Sequence, residues 1–346
     1  MKKQLILCFV FFALSTKLFS QSGFEILFLA DKNDSKKLLT NYFSPTIKGY
    51  LDGLNNGWFH SAKAHKPFGF DLSVNLVNVI HPNNSKVFTT NNLSSLSATK
   101  GNFSSSTSVG NKKTTPIIIN TTINGQTVTA SSNFNGGSDG SIFENTASIP
   151  IAQISLGVSH GFDVMLRFTP GMKVNNDNES LTVLGFGIKK EITNWFKKSD
   201  NLPLHISILA GYTSMKANYG IKNQSFPTGN QSGIEVQNAL SEFSLSSFTF
   251  QALGSLEWDR FGFFGSAGYN KGNSNFKTSG TLRGQYLGSS KTEIKDLDIP
   301  DDIKFNSNNL SATVGTKINL RYFKIYGSYS FQEFNTTNIG IAFSLK

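Results

Sequence analysis

Residues 250–269, FQALGSLEWDRFGFFGSAGY, place apolar or small residues at every second position on both sides of Asp259-Arg260. A period of two is typical of β-strands, because successive side chains of a strand point to opposite faces of the sheet. The two halves therefore predict two antiparallel strands that are joined by a tight turn. The next question is whether the apolar face of these strands packs against a protein core or against lipid.

The same alternation recurs along the chain in about ten segments, which are joined by tight turns and long polar connections that tend to alternate. Residues 219–240 are expected to be one of the long polar loops. This is the arrangement of outer-membrane barrels, with short turns on one side and long loops on the other. We predict an all-β fold, a transmembrane antiparallel β-barrel of about ten strands (range about 10–14), with about twelve if a hairpin at Asn124-Gly125 joins it. Residues 339–345 are expected to pair with residues 70–76, because an open edge in lipid is costly.

The second face of these strands indicates which solvent the apolar face meets. A soluble β-sandwich or lipocalin-like barrel would carry many Lys and Glu residues on that face. Here it is mostly Ser, Gly, Thr, Asn and Gln, and only 16% of all residues are charged. Aromatic residues also form two levels, at the tight turns (Trp258, Phe261) and near the opposite strand ends (Tyr212, Tyr269, Phe331), as two membrane interfaces favour. The apolar face is predicted to contact lipid, with the soluble barrel as the alternative.

Residues 1–20 are predicted to be a signal peptide, with Lys2 and Lys3 before a short apolar stretch and a cleavage point at Ser20-Gln21. The apolar stretch is too short for a transmembrane helix. Cys8, the single cysteine, lies inside it, so the exported chain is expected to lack disulfide and thiolate chemistry. The predicted location is the bacterial outer membrane.

Residues 21–65 are predicted to be a helical N-terminal segment, and residues 66–346 the barrel, with 81–147 as a long external loop. In the N-terminal segment, Asp34 or Ser35 can cap a short helix that Pro45 is expected to interrupt before a second short helix. The apolar faces of these helices need shelter from water.

A barrel of about ten strands has room for little more than one ligand or a plug. We therefore predict that residues 34–65 occupy or cover the periplasmic end of the lumen. The candidate plug or lumen-lining residues are Trp58, Phe59 and His60, together with His205, whose strand position directs it into the lumen.

No arrangement of residues in the sequence indicates catalysis. The histidines lack metal-ligand spacing, and GSDGS at 137–141 has the composition of a turn rather than of a nucleophile elbow. The aspartates at 296–302 are more typical of a solvated loop than of a calcium site. We predict no enzyme activity, no metal site and no cofactor. The lysines behind the net charge of +10 are scattered, so no nucleic-acid binding is expected, and outer-membrane lipid is the predicted partner.

Two longer stretches resemble known families. KLLTNYFSPTIKGYLDGLNNGWFHSAKAHKPFGFDLSV and LTVLGFGIKKEITNWFKKSDNLPLHISILAGYTSM resemble an uncharacterised family of Bacteroidota outer-membrane β-barrel proteins, a domain of unknown function. The second stretch is also remotely similar to the long-chain fatty-acid transporter family, although that family's Asn-Pro-Ala signature is absent. The resemblance implies binding or passage of a small apolar molecule across the outer membrane. The alternative is a non-transporting surface barrel whose external loops bind a partner or polysaccharide.

Overall fold

The computed structural model describes residues 23–98, 102–137, 146–173, 180–196, 203–221, 232–287, 292–300 and 302–345. The predicted signal peptide and most of GSDGS lie outside the described residues. The helix α1 is Lys32–Leu54. The strands are β1 Phe70–Ile80, β2 Val87–Thr90, β3 Leu96–Ala98, β4 Phe103–Ser106, β5 Lys113–Ile123, β6 Gln126–Gly136, β7 Thr146–Gly157, β8 Phe162–Lys173, β9 Ser180–Glu191, β10 Leu204–Gly220, β11 Gly233–Glu257, β12 Phe261–Leu287, β13 Thr292–Asp296, β14 Ile303–Leu320, β15 Phe323–Phe331 and β16 Thr336–Leu345.

Ten of these strands form a closed antiparallel barrel in the order β11-β10-β9-β8-β7-β1-β16-β15-β14-β12, and the β11–β12 pairing closes the ring. β1 and β16 pair as predicted, with Phe70 opposite Leu345 and Leu76 opposite Ile339. The hairpin at Asn124-Gly125 forms between β5 and β6, and both turn residues have positive φ, as a type I′ turn requires. It pairs with β3 in a separate sheet, so the barrel has ten strands rather than twelve.

The two ends of the barrel differ. One end, here called the tight-turn end, carries the short connections after β7, β11 and β14. The other end is covered by residues 81–98 and 102–137, which fold into two small sheets, β2-β4 and β3-β5-β6, and are here called the cap. Within the described residues, the predicted external loop is thus a folded layer. It packs an apolar underside against the barrel, and the buried side chains of that underside are Phe88, Phe103, Ile117, Ile119 and Phe134.

An apolar belt surrounds the barrel at the tight-turn end. On β12 the outward residues Phe261, Phe263 and Tyr269 are about half exposed, whereas the next outward residues, Lys271 and Asn273, are polar. Residues 261–269 match the strand length of about 9–11 residues that crosses a membrane. The predicted lipid face therefore points outward and ends at the predicted aromatic level.

Beyond this belt, β10, β11 and β12 continue as strands with their pattern reversed. Outward residues become polar, and inward residues such as Met215, Phe243 and Leu245 become apolar and are buried. Residues 219–240, expected from the sequence to be a polar loop, therefore include the end of β10 and the start of β11 in their described part. The expectation was wrong because the reversal hides a continuing strand.

The helix α1 lies inside the barrel, in contact with β1, β7, β11, β12 and β14. Asp31 caps it by accepting a hydrogen bond from the Asp34 N–H at 2.8 Å. Contrary to expectation, Pro45 does not interrupt it. A proline removes one hydrogen bond from a helix, but packing on all sides holds the buried helix together, and the Ser108 N–H of the cap donates to the Tyr42 carbonyl one turn earlier. Among the described residues, no helix is long and apolar enough to cross a membrane.

The belt makes a testable prediction about charge. Val314 lies outward on β14 inside the belt, and Asn308 lies on the same face of the same strand above it. Val314→Arg should cost about 2–4 kcal/mol, because an arginine at mid-depth is placed in lipid. The fraction of protein that reaches the heat-modifiable folded form on gels should fall. Asn308→Arg is the matched control and should leave that fraction unchanged, and equal folded yields for both variants would contradict the belt.

Candidate functional site

Residues 23–66, here called the lumenal segment, run through the barrel from the cap end to the tight-turn end. The sequence predicted that residues 34–65 would occupy the periplasmic end. Instead, α1 fills the cap half, and residues 58–66 fill the tight-turn half. Contacts with β12 follow this path from the cap end to the tight-turn end. Near the cap, Tyr286 Oη donates to the Leu29 carbonyl at 2.9 Å, and the rings of Phe276 and Phe43 lie 5.4 Å apart. Further along, Gly272 lies against Leu51, and the rings of Phe264 and Phe59 lie 5.6 Å apart.

Trp58 sits in a recess of the barrel wall that two glycines form. Gly187 of β9 and Gly211 of β10 face each other across the ladder, and a β-carbon on either would lie within 2.7 Å of the indole. No larger residue fits there without displacing the ring. The indole is 1% exposed and thus fixes the lumenal segment just below the end of α1.

Arg167 of β8 holds the same region from the other side. Its guanidinium lies 3.4 Å from the centroid of the Trp58 ring, a cation–π contact. Its Nη1 donates to the Leu54 carbonyl at 2.9 Å, and its Nη2 donates to the Asn56 carbonyl at 2.8 Å. Leu54 is the last residue of α1, where the helix dipole favours a positive charge. The fully buried arginine therefore clamps the lumenal segment by its backbone.

Other polar side chains of the wall bind the last turn of α1. The Ser247 hydroxyl donates to the Leu51 carbonyl at 3.1 Å, and the Gln251 amide donates to the Asn55 carbonyl at 3.3 Å. The Asp52 carboxylate, itself buried, accepts from the Asn309 amide at 2.6 Å and from the Phe334 N–H at 3.0 Å. The end of a helix leaves carbonyls without intrahelical partners, and polar side chains of the wall supply hydrogen bonds to them. These contacts explain why the lumenal face of the strands is polar.

His60 and His65 meet the wall in a charged cluster at the tight-turn end. Both histidines place Nε2 on an oxygen of Asp71, at 2.9 Å and 3.0 Å, and His65 Nδ1 lies 2.9 Å from an oxygen of Asp163. A neutral imidazole has a single N–H, so His65 can donate to both carboxylates only as an imidazolium. Lys189 joins Asp163 at 2.9 Å. The cluster ties the end of the lumenal segment to β1, β8 and β9.

His205 lies at the same end, on β10. Its Nδ1 is 2.6 Å from Glu191 of β9, which also accepts from the Ala64 N–H at 2.8 Å. A second ion pair, Lys317 with Glu257, has a distance of 2.8 Å and is largely buried. Of the four candidate residues, Trp58, Phe59 and His60 lie on the lumenal segment inside the barrel, and His205 belongs to the wall near its end.

The start of α1 is tied to the cap. The Asp34 carboxylate accepts hydrogen bonds from the Ser94 and Ser95 N–H groups, both at 2.7 Å, and from the Ser95 hydroxyl at 2.9 Å. Burial alone would raise the pKa of the neighbouring Asp31, but hydrogen bonds from the Asp34 N–H and the Ser94 hydroxyl lower that pKa below its usual value. The lumenal segment is thus anchored at both ends.

Sequence reasoning missed Arg167, Asp71, Asp163, Gly187 and Gly211. Each occupies an inward position of an alternating strand, and the three charged residues stand out there because lumenal neighbours are mostly small and uncharged. That contrast was a signal available in the sequence. In the part of the chain that the structure describes, no group of His, Cys, Asp and Glu side chains could hold a metal ion.

Comparison with known proteins identifies the family of the chain. A model of the family of unknown function DUF6588 matches residues 1–345. A search of curated proteins finds no match. Similar solved structures include the translocator domain of the autotransporter NalP from Neisseria meningitidis (10% identity, TM-score 0.32, 85% of this chain and 93% of that chain). They also include Ail, the attachment invasion locus protein of Yersinia pestis (8%, 0.27, 81% and 100%), and a Pseudomonas aeruginosa FadL homologue (12%, 0.22, 88% and 96%). At these scores the likeness adds nothing to the fold, which rests on the strand pairing.

Proposed function

The chain belongs to the DUF6588 family of unknown function, and from this starting point we propose that it is a plugged outer-membrane barrel that binds or passes a small apolar molecule. The lumenal segment is the plug. The apolar belt supports insertion into an outer membrane, with the tight-turn end toward the periplasm and the cap outside.

The observation that carries this function is the apolar interior of the cap half. Lumens of outer-membrane barrels are usually polar. Here, inward side chains of the long strands form one continuous apolar cluster with α1 and the underside of the cap, and its wall members include Met215, Phe243, Leu245, Phe276 and Phe305. An apolar molecule that displaced part of α1 would find matching surface there.

The polar contacts of the plug support its movement. The tight-turn half is held by directional contacts, such as the Arg167 clamp and the Asp71–His65 pair, together with a small apolar cluster around Trp58 and Phe59. The directional contacts form between groups that water can also satisfy, so each adds only about 0.5–3 kcal/mol. A plug held in this way can shift while the ten-strand wall stays closed.

Locking the plug to the wall tests the function. A β-carbon at Gly272 would lie 2.9 Å from Leu51 Cβ, so Leu51→Cys with Gly272→Cys should form a disulfide after a small shift. In cells that carry the protein in their outer membrane, oxidation should abolish the uptake of a fluorescent dodecyl-chain tracer, and reductant should restore it.

The matched control is a disulfide within the wall, Ser155→Cys with Met165→Cys, at two residues that face each other on β7 and β8. Oxidation of this pair should leave uptake unchanged. If the locked plug takes up tracer as fast as the unlocked protein, the plug does not gate passage and the proposed function fails.

A further inference from the structure

A polar surface borders the apolar belt on its cap side, on the outer face of β10, β11, β12 and β14. These strands continue past the outer aromatic level, so the residues just beyond that level lie outside the belt. Six of their outward side chains are exposed lysines and asparagines, and they are here called the lysine–asparagine patch. They are Lys216, Lys271, Asn273, Lys304, Asn306 and Asn308.

Strand register brings these residues together although they lie far apart in the sequence. In the β12–β14 ladder, Lys271 lies opposite Asn308, and Asn273 lies opposite Asn306. The row above crosses four strands and has a lysine at each end. Its members, from β10 to β14, are Lys216, Ser244, Asn275 and Lys304. Neighbouring strands are about 4.8 Å apart, so the two lysines of this row are about 14 Å apart.

The three lysines of the patch have no ion pair among the described residues. Farther from the belt, by contrast, Lys277 of β12 lies 3.5 Å from Asp302. The first carboxylate above the patch on β11, Glu242, accepts a hydrogen bond from the Ser244 hydroxyl at 2.9 Å. The patch itself contains no carboxylate, so its positive charge is not balanced within the part of the chain that the structure describes.

The height of the patch above the belt indicates how tall its partner is. The last apolar outward residues are Tyr212 on β10, Tyr269 on β12 and Leu310 on β14. Patch residues lie two, four or six positions beyond them, which at about 3.3 Å per residue and a tilt of about 45° places them about 5, 9 and 14 Å above the belt. A phospholipid head layer is only about 5–8 Å thick, so it leaves the upper residues uncovered.

We propose that the lysine–asparagine patch binds the phosphorylated, multi-sugar head of a glycolipid in the outer leaflet of the membrane. Unpaired ammonium groups bind phosphate as point charges, and amide groups both donate and accept hydrogen bonds, as sugar hydroxyls require. The acyl chains of the same molecule lie against the belt directly below. The proposal rests on the proposed function for the orientation of the barrel, with the cap outside, and does not require that any molecule passes.

Binding of a purified glycolipid to the folded full-length protein in detergent tests the patch. The probe is bis-phosphorylated lipid A that carries two inner-core sugars, and native mass spectrometry gives its Kd. The combined substitutions Lys216→Gln, Lys271→Gln and Lys304→Gln should raise Kd on the order of tenfold or more, because each lysine near an anionic head contributes to binding. Should this variant fail to give the heat-modifiable folded form, Lys271→Gln alone should raise Kd about threefold.

The matched control removes three exposed positive charges outside the patch, through Lys113→Gln, Arg260→Gln and Arg321→Gln. It changes the net charge by the same amount and should leave Kd unchanged. For the wild type, lipid A without its phosphates should bind as weakly as the probe binds the triple-lysine variant.

The asparagines are tested by their preference for sugar. Asn273→Ala with Asn306→Ala should raise the Kd of the sugar-bearing probe about threefold, since each lost hydrogen bond has a modest net effect. The same pair should leave the Kd of lipid A without sugars unchanged.

Three results would each overturn the patch. They are equal Kd values for the two triple variants, equal binding of lipid A with and without phosphates, and binding of phosphatidylglycerol as tight as that of the probe. If binding depends on the patch while the wild-type protein takes up no tracer, the patch stands and the proposed function falls. Uptake that persists without patch-dependent binding gives the opposite outcome.

Discussion

Deletion of residues 23–64 is expected to turn the barrel into an open channel. The lumenal segment fills the interior from the Phe24 contacts at the cap to the charged cluster at His65. Without it, only side chains of a ten-strand wall remain in the lumen. Single-channel conductance in planar bilayers should rise by on the order of tenfold, since a ten-strand ring is just wide enough for one ligand or plug.

Trp58→Ala provides a milder variant that keeps the whole chain. It empties the recess at Gly187 and Gly211 and should raise conductance partially, with short openings. Trp195→Ala is the control, because Trp195 is mostly exposed outside the lumen. Unchanged conductance after the deletion, together with protease cleavage throughout the segment in folded wild-type protein, would show that the segment blocks nothing.

Arg167→Ala should produce the largest effect of any single substitution in the lumen. It leaves the carbonyls of Leu54 and Asn56 without their donor and removes the cation from the Trp58 ring. Hydrogen bonds from charged groups contribute about 1.5–3 kcal/mol each, so the lumenal segment should lose about 3–5 kcal/mol of local stability. Hydrogen exchange of the amides at 52–60 should accelerate, and conductance should rise.

Two control variants distinguish the hydrogen bonds of the Arg167 clamp from the effect of its positive charge alone. Arg167→Lys keeps the positive charge but cannot bridge two carbonyls with a planar fork, so it should fall between the wild type and Arg167→Ala. Arg283→Ala removes an exposed arginine that pairs with Asp296 at 3.1 Å, and exposed pairs contribute at most about 1 kcal/mol. Exchange rates that stay at the wild-type value in Arg167→Ala would mean that Trp58 alone holds the segment.

The sequence predicted the barrel because the alternation of apolar and polar residues is a local signal. Leu256 and Val314 each lie between polar or small neighbours, and both point outward in the structure. Closure between the first and last strands followed from the cost of a bare edge in lipid. These inferences need no knowledge of which residues meet in three dimensions.

The site depends on contacts between distant residues, which local patterns do not reveal. That Trp58 lies against Gly187 and Gly211 depends on the register of β9 with β10 and on the path of a segment more than a hundred positions away in the chain. The single helix through Pro45 depends likewise on the wall that surrounds it. The sequence placed residues 34–65 at one end of the lumen because they precede β1, and no local pattern indicated that the lumenal segment begins at the cap and crosses the whole lumen.

That direction has a consequence for biogenesis. Gly23 lies against Asn135 of the cap, while β1 begins at the opposite end of the barrel. We do not expect α1 to enter a finished ring, because the helix packs against strands on several sides of the passage, which are β1, β7, β11, β12 and β14. We therefore expect the strands to assemble around the lumenal segment. The β1–β16 ladder, which joins the first strand to the last, is expected to form last. Insertion machinery that releases a barrel when its first and last strands pair would therefore retain any chain whose lumenal segment is not yet in place.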